Sequence, residues 1–561
     1  MTPAQQDSQE SAHRGIPPDL TQRLETRGPL KGMHKGMTLT AAGLLLAFVV
    51  GAGLSPQASS ALFGAARAWI ENTFGTYYLI LVVGMIALSL VMVVSPWGSL
   101  RLGPRDSRPE FSRFTWISML LSAGVGIGIL FFGVAEPLFY FDDSGGFGYP
   151  NNPHADLAGA TSMDHARAVE ALKVAFFHWG LHGWAVYGVV GMTLAYFAYR
   201  HHLPLALRSA LYPLIGERIY GPIGHAVDIM GVLGCVFGIA TSLGLGVSQI
   251  AVGLNRLTGL DAGLGTQLAL IAVISVISIA SAVSGVKRGI RFISELNIGV
   301  SVLVVGSFLI GGPTLWLISL FGETLLAYLR DVVPMGLWVA QTPGESSWQE
   351  GWTIFYWAWW LAWAPFIGLF IARISKGRTL REFILGVLIA PPLIIFLWQA
   401  LFGGTGLHQE LTAAMGPGTG ELMTLVRNWN LPEALFATAD ALAGNGVLGV
   451  ILSSLLIFLL ISWFVTSSDS STLVVTTILS LGDEEPLARH RIFWGICIGL
   501  VAGTLLMAGG LKALQTILMA AALPMSFVIV AMTMGLLVAL YQESGNALKR
   551  FKKPAQHHTG P

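Results

Sequence analysis

The chain has 561 residues, of which 53% are hydrophobic and 11% charged, with a mean hydropathy of +0.66 and a formal net charge of +1. It is too apolar and too poor in charge for a soluble protein of this size, which leaves a polytopic membrane protein. The near-zero net charge singles out no class of partner. Both cysteines, Cys235 and Cys497, fall in apolar stretches, so neither a disulfide framework nor a metal cluster is suggested.

Residues 1–37 are polar and read as a cytoplasmic tail with no cleavable signal, because the first apolar segment opens a long span. Twelve stretches approach the roughly 20 residues that cross a bilayer. They lie near 38–54, 76–95, 114–135, 169–198, 224–253, 266–285, 294–319, 352–372, 382–402, 446–470, 491–509 and 513–541. Residues 38–541 therefore read as one membrane domain, and 542–561 as a short basic tail whose Lys549–Lys553 cluster anchors the last helix or meets anionic lipid. With alternate loops assigned to the cytoplasm, 25 of the 32 Lys and Arg lie on the side of both tails. This bias supports an even span count and cytoplasmic termini.

Span 3 carries Gly124-Val125-Gly126-Ile127-Gly128 at its middle. A dinucleotide-binding loop is excluded, since that fingerprint needs a preceding strand in a soluble unit. Two readings stay open: close helix packing through Gly124 and Gly128, spaced as GxxxG, or a locally unwound helix whose backbone lines a cavity. Span 4 reads FFHWGLHGWAVYG. On a continuous helix Trp184 and Tyr187 share a face, and Trp179 stands about 80° from Tyr187. His178 and His182 are one turn apart, as a metal pair would be, but without a third ligand packing or hydrogen bonding is the better reading. Segment 320–335 has the pattern of an amphipathic surface helix. The long outer loops, about 141–167 and 404–445, read as connectors or gates.

Span 8 holds WTIFYWAWWLAW, with Trp352, Trp357, Trp359, Trp360 and Trp363 in residues 352–363. Tyr356, Trp360 and Trp363 fall at i, i+4 and i+7, one helix face. Aromatic faces turned to a cavity can hold a quaternary ammonium, which has no N–H to donate, at about 0.5 to 2 kcal/mol per ring. An aromatic girdle or ordinary packing is the competing reading. Span 10 ends in Trp463-Phe464-Val465-Thr466-Ser467-Ser468-Asp469, whose hydroxyls either ligate a small hard cation or bond back to their own helix. The intramembrane carboxylates Glu136, Asp228, Glu295 and Asp469 lie near span ends, where helix-end or gating roles compete with proton transport.

Spans 3 and 8 both look interrupted and are five spans apart. Inverted repeats of five helices place their broken first helices face to face around the solute. The expected architecture is an all-α integral membrane protein of twelve transmembrane helices with a 5+5 inverted repeat, about 114–319 and 352–541, preceded by two extra helices. No convergent catalytic set and no repeated filter are legible, so neither an enzyme nor a channel is expected.

Taken together, GVGIG with FFGVAEPL in span 3, FFHWGLHGWAVYG, FGIATSLGLGVSQI in span 5, WTIFYWAWWLAWAPFIGLFIARISKGRTLREF and FVTSSDS resemble the betaine/choline/carnitine transporter family over roughly residues 38–541. The resemblance implies a LeuT-like fold, a bacterial inner membrane location, a homotrimer, and sodium symport of a trimethylammonium osmolyte, most readily glycine betaine. Choline, carnitine, ectoine or dimethylsulfoniopropionate, and proton coupling, are the alternatives. By position the family's aromatic box maps onto Trp179, Trp184, Tyr187 and Trp360, with Trp359 and Trp363 along the path or at a neighbouring site. Gly124, Gly126 and Gly128 supply flexibility and backbone contacts. Gly128 stands where proton-coupled choline carriers tend to have aspartate. The implied sodium site uses backbone at Ser122, Val125 and Trp463 with the hydroxyls of Thr466 and Ser467. This chain has Val125 where the family usually has methionine. Cys235 and Ile239 stand where the family's second sodium site has paired threonines, so that site is expected to be absent or altered here.

Overall fold

In hydrocarbon every backbone N–H and C=O must be satisfied within the protein, which favours helices for apolar runs of this length. In a computed structural model that describes residues 21–551 other than 125, 143–152, 155–163, 285–290, 415–419, 444–445 and 484, the elements are helices, joined by one isolated bridge between Arg101 and Thr379. The principal helices are α1 (Lys35–Leu54), α2 (Pro56–Val94), α3 (Arg113–Gly124), α4 (Ile127–Phe141), α5 (His165–Trp179), α6 (Leu181–Ala195), α7 (Pro222–Thr258) and α8 (Leu264–Ser284). They continue as α9 (Arg291–Gly311), α10 (Thr314–Leu337), α11 (Phe355–Arg373), α12 (Leu380–Ala414), α13 (Leu431–Ala443), α14 (Val447–Leu479) and α15 (Ala488–Phe551).

Among the described residues nine helices are long and apolar enough to cross a membrane, or ten if the pair bent by 105° around Pro313 is one span. The chain is an all-α integral membrane protein. The difference from the expected twelve has local causes. Span 3 is split into α3 and α4, neither long enough alone. Spans 11 and 12 run into one another as the 64-residue α15, with non-helical backbone at Gly509 and Gly510. Gly510 has φ 60° and ψ −140°, a conformation that a side chain would make costly.

Two breaks shape the interior. Gly126, with extended backbone, caps the N-terminus of α4, separating it from α3. The second break, at Gly180 in span 4, was not expected: Gly180 sits between α5 and α6 with φ −94° and ψ −138°. A Cβ there would meet Phe396 and the Tyr328 hydroxyl at 2.7 Å. That hydroxyl accepts the Leu181 N–H at 3.1 Å, satisfying a backbone group the break exposes. Span 8, by contrast, is not interrupted at Pro365, which α11 carries in its interior; the irregularity is a π-helical turn at Glu350–Ile354 just before α11. A wide turn of this kind absorbs one extra residue without ending the helix.

The helices that carry the aromatic runs, α6 and α11, pack closely through glycine. A Cβ on Gly191 would lie 3.0 Å from the Gly368 carbonyl oxygen, and one on Gly368 would lie 3.2 Å from the Gly191 nitrogen. The outer loop at 404–445 is more than a connector. It folds into Glu421–Arg427 and α13, tied inward by Arg427 to Asp142 at 2.7 Å and by Arg256 to Glu433 at 2.8 Å and Asp440 at 2.7 Å. Segment 320–335, read as an amphipathic surface helix, lies within α10, where Leu326, Leu329 and Val333 are exposed while Leu320, Thr324 and Tyr328 are buried.

Candidate functional site

A cavity opens where the N-terminus of α4 faces α5, α6, α7, α11 and α14, lined by Gly126, Gly128, Ile129, Trp179, Tyr187, Ser242, Tyr356, Trp359, Trp360, Trp363, Ile367 and Ser467. At the start of α4 the Ile129 N–H bonds the Gly126 carbonyl at 3.1 Å, and the helix dipole there favours an anionic group nearby. Gly128 is needed for the rings to approach. A Cβ on it would stand 2.9 Å from Trp359 and 3.0 Å from Trp179.

The aromatic wall is built from three elements. Trp360 is its centre, with ring centroids 4.9 Å from Tyr187, 6.0 Å from Trp179 and 6.1 Å from Trp184. Its indole N–H donates to the His178 carbonyl at 3.0 Å, which fixes the ring. Trp179 stands edge-on to Trp359 at 5.9 Å and 67°. Tyr356, Trp359, Trp360 and Trp363 all reach the cavity, so the face inferred for span 8 is the one turned inward. Trp184 is different: it is fully buried behind Trp360 and Tyr187 and is not part of the cavity wall.

Two buried polar atoms in this wall lack a partner among the described residues, Ser242 Oγ and Trp363 Nε1. Such orphans cost roughly 1 to 3 kcal/mol each unless a ligand or water satisfies them. Ser242 was missed by reading the sequence. Its signal was present as a stripe of Gly234, Gly238 and Ser242 at four-residue spacing. A Cβ on Gly234 would lie 3.2 Å from the Ala362 carbonyl, and one on Gly238 would lie 2.8 Å from Trp363 Nε1. The stripe marks the face of α7 pressed against α11, and the first side chain that ends it carries the hydroxyl.

The glycine motif divides. Gly126 and Gly128 line the cavity, Gly124 ends α3, and Val125 and the Ser122 side chain lie outside the described residues. On α14 only Ser467 reaches the cavity; Thr466 Oγ1 donates to the Trp463 carbonyl at 2.9 Å, and the Trp463 ring packs on Trp398 at 5.4 Å. Asp469, two residues beyond Ser467, accepts from Ser281 at 2.5 Å, and Asp228 pairs with Arg208 at 2.6 Å. His178 and His182 do not form a metal pair. The Gly180 break separates them: His178 joins Glu136 and Thr353, while His182 stacks on Trp357 at 5.3 Å. Among the described residues no group of three His, Cys, Asp or Glu could hold a metal.

The family model described as betaine/carnitine/choline family transporter matches residues 37–545. The chain belongs to this family. It is therefore a multi-pass membrane transporter rather than an enzyme. It is 36% identical to the glycine betaine transporter OpuD of Bacillus subtilis, an alignment covering 92% of this chain and 94% of that one. It is 39% identical to a probable glycine betaine transporter of Desulfitobacterium hafniense, over 89% and 95%, and 38% identical to the high-affinity choline transport protein of Escherichia coli, over 90% and 72%.

In this transporter the box geometry predicts a strong effect at a position outside the cavity wall. A Cβ on Gly183 would collide with the Trp360 indole, 2.7 Å from Cζ2 and nearer still to the ring fusion. Gly183→Ala is expected to displace Trp360 and weaken substrate binding about tenfold, roughly 1.4 kcal/mol. Calorimetric titration of the folded variant measures this, and unchanged affinity would mean that Trp360 is not held where it is described.

Proposed function

We propose that this family member imports glycine betaine across the bacterial inner membrane by sodium symport. The observation that carries the substrate reading is a cavity lined by two kinds of group. One is a set of indole and phenol faces; the other is the N-terminus of α4, Ser467 and the unpartnered Ser242 Oγ and Trp363 Nε1. The first suits a trimethylammonium head by cation–π attraction. The second suits a carboxylate, which accepts hydrogen bonds and answers a helix N-terminus. Choline has a hydroxyl in place of that carboxylate and leaves these polar groups poorly used. The names of the relatives, which include glycine betaine and choline carriers, are in keeping with an onium solute.

For the coupling ion, Thr466 and Ser467 offer hydroxyl oxygens beside the break in span 3. Thr466 gives its hydrogen to a helix carbonyl, which leaves lone pairs free to ligate a hard cation. With backbone oxygen from Ser122, Val125 and Trp463, this set would bind sodium and draw α14 toward the α3–α4 break as the cavity closes. The transporter acts as a homotrimer with both termini in the cytoplasm, in keeping with its family and its basic loops.

A test that separates charge from shape compares glycine betaine with 3,3-dimethylbutanoate, its uncharged-head carbon isostere. Betaine is expected to bind the purified protein at least about tenfold more tightly, as one or two cation–π contacts would give. Equal affinity would reject the onium reading of the aromatic wall.

A further inference from the structure

Behind the aromatic wall lies a carboxylate that the transport scheme does not use. Glu136, on α4, is completely buried and, among the described residues, has no lysine or arginine in ion-pair contact. Its Oε2 accepts the Trp179 indole N–H at 2.7 Å and the Tyr356 hydroxyl at 2.5 Å. Its Oε1 accepts the Tyr140 hydroxyl at 3.0 Å and lies 3.1 Å from His178 Nδ1. The other nitrogen of His178 is 3.1 Å from Thr353 Oγ1, and its ring stacks on Tyr356 at 4.8 Å and 14°. One carboxyl group thus gathers side chains from α4, α5 and α11, with all of its acceptor positions in use.

Two of these partners, Trp179 and Tyr356, present their other faces to the cavity, whereas Glu136 itself is not part of its wall. Trp179 is the last residue of α5, directly before the Gly180 break, so its backbone alone does not hold the ring. We propose that Glu136 is a positioning residue for the binding site: it locks the Trp179 and Tyr356 rings, from two different helices, in the orientation that receives the substrate's onium head. The inference rests on the onium reading above. Ring orientation matters because the attraction is to the π face, and misplacing a supporting shell by about an ångström is enough to lose it. Outer partners that orient direct ligands commonly change affinity by about 10- to 100-fold when removed.

The two conservative choices at this position have opposite expectations. Glu136→Gln keeps an acceptor oxygen for Trp179 and Tyr356, and its amide group can donate to the Tyr140 oxygen and to His178 Nδ1. Glu136→Ala leaves the indole and phenol donors unpartnered and free to turn. Calorimetric titration with glycine betaine should give a Kd within about threefold of the unmodified protein for Gln, and a Kd raised about tenfold or more for Ala. In proteoliposomes the Ala variant should show a raised KM for betaine with the half-saturating sodium concentration little changed. A purely structural role would instead lower the amount of active protein, and so Vmax, with KM unmoved.

Should Glu136→Ala fail to fold, the single-atom variants carry the test. Tyr356→Phe removes a donor from the oxygen that also holds Trp179 and should raise Kd several-fold. Tyr140→Phe acts on the other oxygen and should raise it less. Unchanged Kd in Glu136→Ala, equal losses in Gln and Ala, or a larger effect from Tyr140→Phe than from Tyr356→Phe would each overturn the positioning role. Failure of the unmodified protein to bind betaine would overturn the onium reading itself, and that result is distinguishable because it precedes any substitution.

Discussion

Replacing Trp360 by leucine is expected to raise the Kd for glycine betaine by more than about 100-fold while leaving a folded, membrane-inserted protein. The ring is where the box converges, in contact with Trp179, Trp184 and Tyr187, and its N–H is anchored on the His178 carbonyl. Leucine removes its cation–π contribution, up to about 2 kcal/mol in a desolvated site. It also opens space into which Trp184 and Tyr187 can relax, so that further rings lose their aim. Together these exceed roughly 3 kcal/mol, or more than about two decades in affinity. A large-to-small change in a packed interior costs folding stability too, on the order of 3 kcal/mol. The variant therefore needs a size-exclusion profile alongside the titration. Retained binding in a monodisperse Trp360→Leu protein would reject the box.

The second large effect is expected at Thr466. Its hydroxyl bonds only within its own helix among the described contacts, to the Trp463 carbonyl at 2.9 Å and the Ser462 carbonyl at 3.2 Å. Thr466→Ala should therefore leave α14 intact. If the oxygen ligates sodium, its loss removes a contact to a charged group worth about 1.5 to 3 kcal/mol. The sodium concentration for half-maximal uptake should then rise about 10- to 100-fold. The betaine Kd measured at saturating sodium should move much less. An unchanged sodium dependence would remove Thr466 from the coupling site and leave Ser467, the hydroxyl that reaches the cavity, to be tested alone.

The membrane class and the inward face of span 8 were legible because both rest on composition and on a 3.6-residue period that α11 keeps through Pro365. Trp184 shows where periodicity stops being informative. It shares a helix face with Tyr187, as expected, yet that face is wide enough for one ring to line the cavity and the other to sit behind it. The break at Gly180 was hidden for a related reason. The run HWGLHGW keeps helical spacing on both sides, and it takes the folded backbone, which brings the Phe176 carbonyl, Phe396 and the Tyr328 hydroxyl against Gly180, to show that this residue must lack a side chain. Glu136 was visible as an intramembrane carboxylate but looked like a helix-end residue. Its four partners come from residues 4 to 220 positions away, and no local pattern announces them. Gly124, counted with the rest of its motif, falls on the far side of the break because the helix restarts at Ile127.

The most direct test of the central claim is uptake of labelled glycine betaine into proteoliposomes, with and without an inward sodium gradient and with excess choline as competitor. The account predicts uptake that is driven by sodium and little affected by choline, since the unpartnered donors in the cavity wall are matched by a carboxylate. Uptake indifferent to sodium, or displaced chiefly by choline, would contradict it.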